Sequence, residues 1–144
     1  MARIKIDTSG NIVAEIKLRV RISNINYGNH VGNDAFVSLI HEARMQWLQQ
    51  NHFTELDING TGIIMSGLAF EFKNEAFYGD EILIRISAGE VSKVSFELYY
   101  HLTTERNSQT MLLAKAKTEM VCYDYQYKKV VAVPAVLEKM LQAT

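Results

Sequence analysis

Asp34-Ala35-Phe36-Val37-Ser38-Leu39-Ile40-His41-Glu42-Ala43-Arg44-Met45-Gln46-Trp47-Leu48-Gln49-Gln50 decides the fold. Phe36, Leu39, Ile40, Ala43, Trp47 and Leu48 recur three and four residues apart. That spacing puts one apolar stripe along a helix, about 25 Å long at 1.5 Å per residue. Asn33 or Asp34 can cap its start, because a short side-chain oxygen accepts from the orphan backbone N–H groups there.

Outside this segment the period changes from 3.6 to 2. Ala14, Ile16, Leu18, Val20 and Ile22 alternate with Glu15, Lys17, Arg19 and Arg21. The same alternation runs through Leu68-Phe70-Phe72, Ile82-Ile84-Ile86, Val94-Phe96-Leu98-Tyr100-Leu102 and Leu112-Ala114-Ala116-Met120. Strands with one apolar and one polar side form antiparallel sheets with a solvated face, whereas parallel strands read as continuous apolar runs. Tyr78-Gly79-Asp80, Gly89-Glu90 and Asn107-Ser108 supply turn signals between them. A second helix follows Pro134 through Val136, Leu137, Met140 and Leu141. The order is strand, long helix, four strands, short helix. The expected architecture is α+β: an antiparallel sheet of about five strands wrapped around a long central helix, in one domain over residues 1–144.

Composition narrows the function classes. The 144 residues carry 15 Lys+Arg and 16 Asp+Glu, a net charge of -1, with 48% hydrophobic residues. Near-neutral charge argues against a nucleic-acid binder that works by neutralising phosphates. No apolar run approaches the roughly 18 residues of a membrane span. Met1-Ala2-Arg3-Ile4-Lys5-Ile6-Asp7 has no long apolar stretch, so no secretory signal is expected. The single cysteine, Cys122, cannot form an internal disulfide, which fits a reducing, cytoplasmic setting.

Ser23-Asn24-Ile25-Asn26-Tyr27-Gly28-Asn29-His30-Val31-Gly32-Asn33-Asp34 is the densest polar cluster. Asn, Gly and Asp are turn formers, so a turn-rich loop is one reading. Position supplies the other: a loop that feeds a helix start aims free N–H groups and positive partial charge at whatever binds there, which suits a developing oxyanion. Glu42 lies eight residues after Asp34, about 80° around the helix and two turns along. It reads either as an exposed glutamate paired with Arg44 or another neighbour, or as an acid facing an interface. Cys122 falls in phase with its strand's apolar side and reads as a core residue. His30, His41, His52 and His101 lack metal-ligand spacing, and no metal site is expected. Asp57-Ile58-Asn59-Gly60 resembles a fragment of a calcium loop without the remaining ligands.

The chain resembles the hotdog-fold acyl-CoA thioesterases of the 4-hydroxybenzoyl-CoA thioesterase-like family. That family carries an Arg on the first strand, D-x-D, G-H-V-N-N, an aromatic residue and E-A-R on the helix. Here Arg21, Asn24-Ile25-Asn26, Asn29-His30-Val31-Gly32-Asn33, Phe36 and Glu42-Ala43-Arg44 stand in that order. Phe77-Tyr78-Gly79-Asp80 matches its aromatic-G-D, Val121-Cys122-Tyr123-Asp124 its V-x-x-D and Pro134-Ala135-Val136-Leu137 its P-x-x-L. The resemblance implies a homodimer whose sheets join edge to edge, or a homotetramer, with the active site at the subunit interface. It implies hydrolysis of an acyl-CoA thioester, with CoA entering only as part of the substrate and no other cofactor. It also exposes a departure: the usual catalytic Asp is Asn26, whose amide cannot act as a base. Another branch of the family carries its carboxylate about two turns into the helix, which points to Glu42, with Asp34 second. Asn26 and His30 would orient the water or the ester, and N–H groups around Asn33 and Asp34 would hold the oxyanion. Asn26 also keeps open a protein that binds acyl thioesters without cleaving them.

Overall fold

The computed structural model describes residues 4–142, so Met1–Arg3 of the N-terminal segment lie outside it. Its strands are β1 (Asn11–Arg19), β2 (Gly62–Phe72), β3 (Glu81–Val91), β4 (Ser95–Arg106), β5 (Gln109–Asp124) and the short β6 (Lys129–Val130). Its helices are α1 (Asn33–Gln50) and α2 (Ala135–Gln142). The sheet runs β1-β3-β4-β5-β2, every neighbouring pair antiparallel, with β6 on β5. This is the hotdog arrangement.

The apolar stripe of α1 is what the sheet wraps. Phe36, Leu39, Ile40, Ala43, Trp47 and Leu48 are all buried. They belong to one core with Ile82, Ile84 and Ile86 of β3, Phe96, Leu98 and Leu102 of β4, and Ala114, Ala116 and Cys122 of β5. Burial pushes the Cys122 thiol up to about 11, as befits a packing residue with no thiolate chemistry. Leu137, Met140 and Leu141 of α2 join the same core.

Three details depart from the period-2 reading. Ile22 is 72% exposed. β1 ends at Arg19, and a 3-10 turn over Ile22–Asn24, in which the Asn24 side chain accepts from the Arg21 N–H at 2.8 Å, swings the chain outward. On β2, Leu68 and Phe72 are exposed and Phe70 half-buried, because β2 is the sheet's edge and little covers it laterally. On β5, Leu113 rather than Leu112 is buried, since the β4–β5 register shifts at Leu102/Thr103.

The outer face of the sheet is partly covered. The chain before β1 crosses it, with Thr8 Oγ1 2.8 Å from His101 Nδ1 and the Ile6 N–H donating to Glu71 Oε1 at 3.1 Å. No helix among the described residues is long and apolar enough to cross a membrane.

Candidate active site

The polar loop between β1 and α1 folds as a small hairpin of its own. Ile25 and Val31 form an antiparallel bridge. The Asn26 N–H donates to the His30 carbonyl at 3.0 Å, and the Asn26 side-chain oxygen accepts from the Gly28 N–H at 2.9 Å. Asn29 closes the turn at φ 66°, a left-handed conformation that Asn tolerates better than most residues. The hairpin is then tied into the body. Gly32 N–H reaches the Asn24 carbonyl at 3.2 Å, and Val31 N–H reaches the Ala76 carbonyl at 2.8 Å.

Gly32, not Asn33 or Asp34, is the N-cap of α1. It is extended (φ -74°, ψ 160°), and its carbonyl accepts the Phe36 N–H. Asn33 and Asp34 are therefore already inside the first turn, where their side chains do not cap. A glycine cap carries no side-chain acceptor, so the leading N–H groups of α1 are left uncapped. Asp34 adds a negative charge to that first turn, which the helix dipole favours.

Beside this helix start lies a cleft of about 220 Å³, lined by His30, Asn33, Phe36, Phe72, Lys73 and Glu75 among others. Phe36 and Phe72 meet edge to face at 5.4 Å and Phe72 stacks on Phe70 at 5.1 Å, giving the cleft an aromatic wall. His30 Nδ1 lies 3.2 Å from the Val31 carbonyl. A carbonyl only accepts, so the neutral ring carries its proton on Nδ1 and leaves Nε2 with a free lone pair.

The five residues singled out from sequence fall into three groups. His30 and Asn33 line the cleft together. Asn26 and Asp34 share the space over Gly32: a Cβ there would stand 2.7 Å from Asp34 Oδ1 and 3.5 Å from Asn26 Nδ2. Glu42 stands apart. It is exposed, accepts from Gln46 Nε2 at 2.7 Å, and lines a different cleft of about 350 Å³ with Arg19, Arg21, Ser38 and Leu39.

Arg44, offered above as one partner for Glu42, points the other way. It is 4% exposed, with Nε donating to Glu55 at 2.7 Å and Nη1 to the Tyr100 hydroxyl at 3.1 Å. That hydroxyl lies 2.8 Å from Thr118 Oγ1, and His41 Nε2 lies 2.6 Å from the other Glu55 oxygen. Burial works to raise the Glu55 carboxyl, but the hydrogen bonds and charges of Arg44 and then His41 outweigh it and hold it below the usual range.

Glu75 escaped the sequence reading. It follows β2 in a stretch with no period, and its approach to the helix start depends on long-range pairing. Asp57-Ile58-Asn59-Gly60 is a tight turn, with Asp57 Oδ1 accepting the Gly60 N–H at 2.8 Å and both Asn59 and Gly60 at positive φ. Its carboxylate is thus engaged in the turn itself.

A family model described as the thioesterase-like superfamily matches residues 20–141. No curated protein matches the chain. Among solved structures, the 1,4-dihydroxy-2-naphthoyl-CoA thioesterase of Synechocystis superposes with a TM-score of 0.78 at 22% identity, covering 88% of this chain and 93% of that one. A gentisyl-coenzyme A thioesterase superposes at 0.75 with 19% identity, covering 89% and 99%. DHNA-CoA thioesterase from Staphylococcus aureus gives 0.73 at 14% identity, covering 83% and 79%. At such identities the likeness establishes a common fold.

Proposed function

The chain belongs to the thioesterase-like superfamily, and on that premise we propose that it hydrolyses an acyl-CoA thioester to a carboxylic acid and free CoA. The observation that carries this reading is the uncapped start of α1 opening beside a cleft that holds His30, Asn33 and two phenylalanines. Thioester hydrolysis puts negative charge on the carbonyl oxygen, and fixed N–H groups in a partly desolvated cleft stabilise that charge. The N–H groups of Asn33 and Asp34 serve as donors. His30 Nε2 and the Asn26 amide orient the water or the ester. The aromatic wall receives apolar parts of the acyl chain or the pantetheine arm.

Sequence offers two acids for the activation of water, Glu42 and Asp34. Asp34 carries one of those donors itself, and its carboxylate lies across the space over Gly32 from the Asn26 amide. Glu42 lies about 12 Å farther along the helix, in the cleft it shares with Arg19 and Arg21.

The active unit in this reading is a homodimer. Its support is the edge strand β2, where Ile64, Met65, Leu68 and Phe72 are exposed and no further strand pairs among the described residues. A bare apolar edge strand is a template for pairing with a second copy, and Phe72 carries that edge into the cleft.

A panel of aromatic, short aliphatic and long-chain acyl-CoA esters, read by release of free thiol, tests the activity. Turnover of at least one ester, well above its spontaneous hydrolysis, is the expected result. Asn26 in place of a carboxylate favours one other reading, a protein that binds acyl thioesters without cleaving them. Saturable binding of the esters with no thiol release would establish that reading and overturn hydrolysis.

A further inference from the structure

Hydrolysis needs a base within reach of the ester, and a third carboxylate is better placed than either acid named above. Glu75 lines the same cleft as His30, Asn33, Phe36 and Phe72; Asp34 and Glu42 do not line it. Among the described residues the Glu75 carboxylate has no hydrogen-bond or ion-pair partner. Lys73, the nearest cation along the chain in that cleft, is occupied by Glu71 at 2.7 Å.

The backbone under this free side chain is held at two successive carbonyls. The Glu75 carbonyl accepts from Arg106 Nη2 at 2.7 Å. The Ala76 carbonyl accepts from Val31 N–H, one residue before the N-cap of α1, and Ala76 itself is fully buried. Arg106 is fixed in turn by Asp80 Oδ2 at 2.5 Å and lies 4.8 Å from the Phe77 ring centroid. Asp80 also accepts the Phe77 N–H at 2.9 Å, while Gly79 makes the turn at φ 86°. Phe77-Tyr78-Gly79-Asp80 thus works as a bracket that sets Glu75 against the helix start. An unpaired acid on a braced backbone, lining a cleft with a histidine and an apolar wall, has its carboxylate free to take a proton from a water bound there.

We propose that Glu75 is the general base. The assignment rests on the thioesterase reading and names the residue that activates its water. The water oxygen bonds to the thioester carbon as its proton passes to the Glu75 carboxylate. The carbonyl electron pair moves onto oxygen, facing the N–H groups at the start of α1. Collapse of that intermediate breaks the C–S bond, and the sulfur takes the proton back from Glu75. The products are the acid and CoA thiol, and Glu75 is restored. His30 is a positioning residue: its Nε2 lone pair accepts the second hydrogen of the same water.

The test uses the full chain and the ester it turns over fastest. Glu75→Gln lowers kcat by about 100-fold or more, leaves KM within about threefold, and removes the acidic limb of the pH–kcat profile. Glu75→Asp keeps the limb and recovers part of the rate. Both variants melt within about 2 °C of the wild type, because an exposed, unpartnered side chain contributes little to stability. A Glu75→Gln variant within about threefold of wild-type kcat, or one that loses less than Glu42→Gln or Asp34→Asn, overturns the assignment and leaves the thioesterase reading intact. A wild-type chain that releases thiol from no ester overturns both.

Discussion

Two groups of polar side chains sit along α1 and differ in one respect. Around Arg44 they are satisfied: Arg44, Glu55, His41, Tyr100 and Thr118 are joined by four contacts between 2.6 and 3.1 Å. At the start of the helix they are open. Gly32 supplies no side-chain cap, and neither His30 Nε2 nor the Glu75 carboxylate has a partner among the described residues. A buried polar network that satisfies itself has no donor or acceptor left for a ligand, and it fixes how the helix sits on the sheet. Open groups held on a rigid frame keep their interaction energy for substrate. The first region serves the fold, and the second is the one to which the proposed chemistry is assigned, although both are rich in charge.

Removing the centre of the satisfied region gives the largest effect on stability. Arg44→Met leaves Glu55 with only the exposed His41 and strips the Tyr100 hydroxyl of one partner. Loss of one member of a buried ion pair costs about 3 kcal/mol, read as a lower urea midpoint at unchanged slope. Adding Glu55→Leu recovers part of that loss, because the uncompensated carboxylate is then gone. A single variant as stable as the wild type would erase the distinction between the two regions.

Acid acts on the same region more gently. The Glu55 carboxyl is held below its usual value of 4.5 in the fold, burial being outweighed by Arg44 and His41. A depressed folded-state pKa stabilises the protein above the unfolded-state pKa, and that contribution fades as pH falls through the folded-state value. Melting temperature should therefore drop as pH falls below the usual carboxyl value of 4.5, and the drop should shrink in the Arg44→Met/Glu55→Leu variant. An identical acid limb in both would place the sensitive carboxylates elsewhere.

The two regions were not equally legible in the sequence. The core face of α1 follows directly from its spacing, and so does the inward phase of β3 and β4. Arg44 and Glu42 are two residues apart, about 200° around the helix. Period alone separates their faces, and only the packed Glu55 and Tyr100 explain why an arginine points inward. The start of α1 was half legible. His30 and Asn33 stand out in a polar loop, but Glu75 is brought beside them by long-range contacts such as the Val31–Ala76 hydrogen bond, which spans 45 residues. No local pattern encodes such a contact. Leu68 and Phe72 were legible as a strand and illegible as an edge, since exposure there depends on which strand comes last in the sheet.

Gly32→Ala gives the smallest change in stability and sharpens the contrast most. Gly32 has ordinary extended dihedrals, so a side chain brings no backbone strain. The added Cβ would stand 2.7 Å from Asp34 Oδ1, the mobile end of an exposed side chain that can turn away, and 3.5 Å from Asn26 Nδ2. Alanine is a poorer N-cap than glycine, so the cost stays under about 1 kcal/mol. The same methyl group fills the space between the Asn26 amide and the Asp34 carboxylate, beside the donors assigned to the oxyanion. Thiol release should fall several-fold while the melting temperature barely moves, the reverse of the pattern at Arg44. A variant that loses stability and keeps its rate would show that this stretch is scaffold, and that the open groups beside it are spectators.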